Sequence, residues 1–446
     1  MKRILLLLAL PVVLLVPASA RSDPPPPAGD QPDESLLGTV EVNGSAEGLP
    51  PLPKMALVPV YPVGLADSLV NLVVHRDMDL SGQFEVLPDD KAPPGPFTHT
   101  SALDLSAFRA EGAEYVLRVF ADPAPGNSAR TQLVGEAFVT PAGKPAAGAA
   151  EPKPAYRGTV LTSTTEVRAA SHRLVDLLLG ALTGRPGGFA SEMTYAEKVG
   201  RWRRVYEIDA DGFDLRSVGP SDATALSPAF GPGNQVFYAL SLDYSAFHLV
   251  FGPDATPVPV AIPGSVMGLA FSPDHNRMAL TVMDGGASKL WIGDQGKFQP
   301  MTSPPFANHP VFGPMGKVAY VAGSPVQRVT IDGKPVSPAG FMASAPVFCD
   351  TPQGLLLVFT VGVGAGADII STDTSGAGVR RLTQHEGANT APACSPDGRL
   401  VAFFATGKRG QGAGLFIMPI QRPWLAKKIS SEVGDSLRWE PLPPVK

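Results

Sequence analysis

Seven histidines, at positions 75, 99, 172, 248, 275, 309 and 385, are the first residues to weigh for chemistry, because imidazole serves as acid, base and metal ligand alike. No two stand at the close spacing a metal site uses, and His172, inside a helical pattern, reads as a packed or capping side chain. A nucleophile elbow of the Gly-x-Ser-x-Gly type is absent; Gly219-Pro220-Ser221-Asp222-Ala223 comes nearest and fails at its last position. Gly410-Gln411-Gly412-Ala413-Gly414 and the run from Gly362 to Gly366 imitate phosphate loops, but neither opens a helix, so both read as hairpin loops. Asp209, Asp211 and Asp214 have calcium-like spacing, which a tight turn ending at Gly212 explains equally well. The expectation is no enzyme, no metal and no cofactor.

A second set of polar residues is defined by position in a repeat. One short phrase occurs six times: Ser227-Pro228-Ala229-Phe230-Gly231-Pro232, Gly268-Leu269-Ala270-Phe271-Ser272-Pro273, His309-Pro310-Val311-Phe312-Gly313-Pro314, Ala345-Pro346-Val347-Phe348-Cys349-Asp350, Ala391-Pro392-Ala393-Cys394-Ser395-Pro396 and Ser436-Leu437-Arg438-Trp439-Glu440-Pro441. From Phe230 to Trp439 the intervals are 41, 41, 36, 46 and 45 residues, which is the period of a stacked-unit architecture. Each phrase reads as an apolar strand and a turn, followed by a β-rich run such as Arg277 to Val282 or Leu400 to Phe404 and then by two further strands. Four strands per period make a propeller blade. The residues that lead into the innermost strands converge on one mouth of the central channel. By alignment these are Ser227, Gly268, Asn308, His309, Ser344, Asn389, Thr390, Asp435 and Ser436, and they are expected to form a partner-binding surface.

The sixth phrase has no hairpin after it. Its partners are the strand-like stretches from Ala190 to Tyr195, Arg203 to Ile208 and Leu215 to Val218, so the C-terminal strand is expected to close a six-bladed ring over residues 188–446 and leave no sheet edge open. Upstream, residues 38–187 read as an α/β domain. Met55 to Val60 is a strand; Leu65, Leu69, Leu72, Val73 and Met78 mark a helix face; Phe84 to Leu87 is a strand, Leu105 to Gly112 a short helix, and Tyr115 to Phe120 and Leu133 to Thr140 are paired strands. Val40-Glu41-Val42 reads as a further strand, Pro141 to Pro154 as a loop, and Thr165 to Leu182 as a helix closed by Gly184.

Lys2-Arg3 followed by an apolar run from Ile4 to Val16 and by Ala18-Ser19-Ala20 has the layout of a signal peptide cleaved after Ala20; the run is too short to span a bilayer. Residues 21–37 are proline-rich and read as a flexible tail. A net charge of −5 without a basic stripe excludes nucleic acid as a partner. Glycine and proline, at 47 and 48 residues, suit turn-dense β structure. The two cysteines, Cys349 and Cys394, stand one register apart in the repeat, so their side chains are expected to leave opposite faces and to stay unbridged as small buried apolar groups.

The run Val167-Arg168-Ala169-Ala170-Ser171-His172-Arg173-Leu174-Val175-Asp176, then Leu182-Thr183-Gly184-Arg185-Pro186-Gly187-Gly188-Phe189, resembles the helix-to-propeller junction of the TolB family, periplasmic components of the Tol-Pal system. Ser81 to Leu87 and Phe108 to Val116 resemble two further phrases of that family's N-terminal domain. The resemblance implies a periplasmic, non-catalytic, monomeric scaffold, peripheral to the membrane only through partners. It would bind the peptidoglycan-associated lipoprotein Pal at a propeller mouth and reach TolA through its N-terminal end, supporting outer-membrane integrity and envelope constriction at division. This chain departs from the pattern in keeping the full Ser395-Pro396-Asp397-Gly398 turn in the fifth repeat only, and in carrying a proline run where the family places its TolA-contacting segment. The alternative is a periplasmic propeller that binds a small ligand or ion in its channel, as sensor or enzyme; three or more carboxylates or histidines at the mouth would favour it, against Asp435 and His309 here.

Overall fold

The computed structural model describes residues 32–38, 49–61, 64–142, 152–294, 296–301, 306–384, 387–407 and 410–441. The expected signal peptide, the tail up to residue 31, the strand at Val40-Glu41-Val42 and most of the 141–154 loop lie outside the described residues. No helix among the described residues is long and apolar enough to cross a membrane.

The N-terminal domain is built on one mixed sheet. Its strands β1 (Lys54–Leu57), β2 (Glu85–Val86), β3 (Tyr115–Ala124), β4 (Asn127–Val139) and β5 (Tyr156–Ser163) lie in the order β2-β1-β3-β4-β5. The period-two alternation of strands sends Met55, Leu57, Leu117 and Val119 to one face, against helices α1 (Leu65–Leu80) and α3 (Val167–Thr183). Ala56, Val58, Val116 and Phe138 go to the other face, over the short helix α2 (Leu105–Ala110) and its Phe108. Gly184, at φ 78°, ends α3 in the left-handed conformation.

The expected face of α1 is corrected in part, for its Val73 and Met78 are buried as expected. Leu65 and Leu72 point outward, at 87% and 64% exposure, while Asp67, Val70, Val74 and Asp77 form the buried stripe. Two carboxylates inside that stripe disguise it in the sequence. Asp67 accepts a 2.6 Å hydrogen bond from the Ala121 amide, and Asp77 accepts one from α3.

Six four-stranded antiparallel sheets follow, with inner strands Thr224–Phe230, Ser265–Phe271, Asn308–Phe312, Ala343–Thr351, Asn389–Cys394 and Asp435–Trp439, blades 1 to 6 in that order. These strands pack against one another in a ring. In blade 6 the C-terminal strand pairs with Glu192–Val199, placing Arg438 opposite Thr194 and Trp439 opposite Met193. The expected six-bladed ring closed by the C-terminal strand is the observed one.

Every inner strand carries a β-bulge at the start of the repeated phrase. In five blades two residues face one aromatic residue of the next strand: Tyr238, Tyr320, Phe359, Phe403 or Tyr195, all fully buried. The first bulge residue in those blades, Ser227, His309, Ala345, Ala391 or Ser436, has φ between 48° and 55°, a region non-glycine residues rarely enter. Proline follows in four of them, where the interrupted ladder asks for no N–H. Blade 2 differs: Gly268 has ordinary φ and faces Thr281.

Two further differences from expectation have physical causes. Cys349 and Cys394 form a disulfide with Cα atoms 5.5 Å apart, so the reading of unbridged thiols fails. The opposite faces of successive blades look at each other across the inter-blade gap, and opposite-pointing side chains therefore meet. Residues 33–37, placed in the tail on sequence grounds, form a 3-10 turn over Glu34–Leu37 capped by Asp33. Leu37 is fully buried among residues of blades 3 and 4 such as Val321 and Phe359, and Glu34 pairs with Arg381.

Candidate functional site

The direction of the inner strands sorts the ends of the channel. Each runs from its bulge toward the turn ending the phrase, and the N-terminal domain sits at the turn end. There Gly82 lies against Pro419 so closely that a Cβ would stand 2.2 Å from that ring, and Gly188 lies against Pro396. Lys427 pairs with Asp79 at 2.6 Å. The expected mouth residues are therefore at the end away from the N-terminal domain.

The structure brings five of these nine residues together. Ser227, Gly268, Asn308, His309 and Ser436 line one cavity of about 50 Å³ in the throat of the channel. Asp435 stands beside it, exposed and paired with Arg203. Ser344, Asn389 and Thr390 belong to blades 4 and 5 and do not line it. Asn389 is fully buried and donates to the Ala367 carbonyl and to Asp368 Oδ1, both at 3.3 Å, so it holds two blades together and presents nothing to a partner.

Two residues missed from the sequence complete the throat. Arg438 lines this cavity and also the larger space of about 330 Å³ toward the turn end, so it stands where the two meet. The other five blades place Ala229, Ala270, Val311, Val347 and Ala393 at its repeat position, and all five line the larger space. A charge where five copies carry Ala or Val was the available signal. Thr281, on the second strand of blade 2, lines the small cavity, and its buried hydroxyl has no hydrogen-bond partner among the described residues.

The electrostatics of the throat are one-sided. Burial pushes the Arg438 guanidinium down to about 10, so it remains a cation at neutral pH; among the described residues it donates one hydrogen bond, to the Leu437 carbonyl at 3.2 Å. Burial and the Arg438 charge push His309 down to about 4 against the pull of Asp435, leaving its imidazole neutral.

The candidate acidic cluster lies elsewhere, at the domain junction. His172, Asp209 and Asp211 offer donor atoms within 4.8 Å of one another, but a guanidinium already holds the carboxylates. Arg168 donates to Asp209 at 2.8 Å and to Asp211 at 2.5 and 2.6 Å. Arg76 donates to the Asp211 carbonyl at 3.0 and 2.6 Å, and both guanidinium groups lie over the Phe213 ring. Asp214, the third carboxylate of the calcium-like spacing, pairs with Arg216 instead. His172 Nδ1 donates to Asp77 Oδ2 at 2.6 Å. Next to this network, Asp176 accepts the Phe189 and Ala190 amides at 2.9 Å each and so fixes the chain leaving α3. A Cβ on Gly187 would stand 2.4 Å from Asp176 Oδ1.

No family model matches the sequence. Curated relatives do, and they carry the name Tol-Pal system protein TolB. The protein of that name from Methylococcus capsulatus is 27% identical over 210 residues, 45% of this chain and 44% of the relative. One from Nitrosomonas europaea is 34% identical over 77 residues, 17% of this chain and 18% of its own. The matches thus span less than half the length of these relatives. Among solved structures, TolB from Acinetobacter baumannii superimposes with a TM-score of 0.69 at 19% identity, over 88% of this chain and 97% of its own. The chain is similar to TolB proteins in sequence and shares the TolB fold.

Proposed function

We propose that this chain is a non-catalytic periplasmic scaffold of the Tol-Pal type, exported by a cleaved leader. It docks a Pal-like lipoprotein on the propeller mouth away from the N-terminal domain and communicates with TolA through its N-terminal end. One observation carries the reading: the sequence matches are to TolB proteins, and the fold over most of the chain is that of TolB. The mouth supports it as a docking surface, because the bulges aim side chains outward at a rim where Thr390, Asp435 and Ser436 retain solvent access. The two serines that line the throat with His309 donate elsewhere, Ser227 to the Met267 carbonyl and Ser436 to Asp435, so neither is paired with the imidazole as a nucleophile with its base would be.

The second reading from the sequence, a small ligand in the channel, is favoured by the unpartnered polar groups of the throat and is compatible with docking at the mouth above it. Calorimetric titration of the chain with the soluble domain of a Pal-like lipoprotein from the same cell tests the docking reading. Saturable binding is expected, and Thr390→Glu with Asp435→Lys should remove it while leaving the thermal midpoint within about 2 °C of the wild type. Asn389 is left unchanged in this test, because its burial would make a charged variant a folding test. Absence of binding by the wild-type chain overturns the docking reading.

A further inference from the structure

The throat cavity holds a set of hydrogen-bonding groups with one chemical preference. Its polar lining is Ser227, Thr281, Asn308, His309, Ser436 and Arg438, without a carboxylate. Two of these are already engaged: Ser227 donates to the Met267 carbonyl at 2.9 Å and Ser436 to Asp435 at 3.0 Å. Three are not. Thr281 Oγ1 and Asn308 Oδ1 are buried without a partner, and the Asn308 amide presents its NH2 inward by a simple flip. Arg438 has no carboxylate within ion-pairing distance among the described residues. Asp435, beside the cavity, is turned to Arg203.

Unpaired buried polar groups cost free energy unless something satisfies them, and here they gather around one space. A volume of about 50 Å³ suits one carboxylate group or one to two waters, each taking ~30 Å³ of liquid volume. A planar carboxylate matches the guanidinium fork in shape and charge. Gly268 keeps the space open, for a Cβ there would stand 3.3 Å from Thr281 Oγ1 and 3.8 Å from Pro310.

We propose that the throat of the propeller is a binding site for a single carboxylate group, held by Arg438 with Thr281 and Asn308 donating beside it. The carboxylate comes from a small acid free in solution or from an Asp or Glu side chain carried in on a loop of a docked protein. The second source rests on the docking reading above; the first does not.

The test is titration of the whole chain with acetate and, separately, with an end-capped tripeptide containing one Asp and with its Asn counterpart, at constant ionic strength. Calorimetry gives the affinity, and the thermal midpoint gives an independent readout through linkage. Acetate is expected to saturate and to raise the midpoint of the wild type. Arg438→Ala, which installs the residue of blades 1, 2 and 5, should weaken acetate by at least about tenfold. Thr281→Val should weaken it by about threefold or more. Gly268→Ala should weaken it too, by filling the space with the guanidinium intact. An Asp peptide that binds more tightly than acetate assigns the site to a docked loop; acetate equal or tighter assigns it to a free acid. Equal binding by the wild type and Arg438→Ala, or saturation by neither probe, overturns the proposal. Acetate binding that persists where the Pal-like domain fails to bind removes the docking reading alone.

Discussion

At the domain junction Asp77, Asp209 and Asp211 face Arg76, Arg168 and His172, whereas Arg438 shares the small throat cavity with neutral groups and is ion-paired with no carboxylate among the described residues. Both regions take charge out of water, which is costly for an ion alone and tolerable for one that is paired and hydrogen-bonded. The junction is the tolerable case. Two of its atoms, Asp77 Oδ1 and His172 Nε2, lack a hydrogen bond, yet His172 lies 3.6 Å from Asp209 and 2.6 Å from Asp77. The donors that would hold a calcium ion are already neutralised from within the chain, and the turn that carries them is an interdomain latch. The throat is the other case, and a charge left without its counterpart points to one supplied from outside.

The largest effect should come from breaking the latch. Asp211 is fully buried, and its loss would leave Arg168 and Arg76 beside Asp209 with one carboxylate fewer. Asp211→Ala is expected to cost about 3–5 kcal/mol, read as a lower urea midpoint of the intact chain. A loss under about 1 kcal/mol would mean the junction charges are as loosely held as surface pairs, and the contrast with the throat would disappear.

A smaller effect should appear as a pH dependence. Burial alone would lower the His172 pKa, but the Asp77 charge, with Asp209 beyond it, overrides burial and raises it to about 10. The unfolded chain releases this proton near 6.5. The contribution is therefore full below 6.5 and is lost as pH rises through about 10, with a slope of about 1.4 kcal/mol per pH unit between. Stability measured from pH 7 to 10 should fall in the wild type and fall less steeply in His172→Gln. Identical slopes would show that the imidazole is neutral in the folded protein.

The legibility of the two regions differed for a physical reason. Periodicity announces elements, so the six repeats, the closing strand and α3 were readable from phrases such as Phe271-Ser272-Pro273-Asp274. Pairing between distant segments leaves no local trace. Arg168 and Asp211 are 43 residues apart, Arg76 and Ile429 are 353 apart, and neither pair marks the other. The buried carboxylates of α1 misled the helix face for the same reason: Asp67 and Asp77 look like surface residues until their partners are seen. Aligning the repeats placed Asn389 at the mouth, because an alignment gives position along a strand and not the side toward which a side chain turns. Arg438 lay in plain view, and only comparison with Ala229, Ala270, Val311, Val347 and Ala393 marks it as foreign.

The smallest expected effect has the opposite sign, which makes it the sharpest test of the contrast. Arg438→Val puts the residue of blades 3 and 4 into blade 6, removing a cation that burial has already pushed down to about 10. If no ligand is present, the folded state loses an unfavourable charge together with the apolar stem of the side chain. The midpoint should rise by about 1–3 °C or stay unchanged. In saturating acetate the order should invert, with the wild type the more stable of the two, since only it gains from binding. A variant less stable than the wild type in chloride buffer would mean that Arg438 is satisfied by the protein itself. The throat would then be a second junction, structural like the first, and the unpaired guanidinium would carry no message about a ligand.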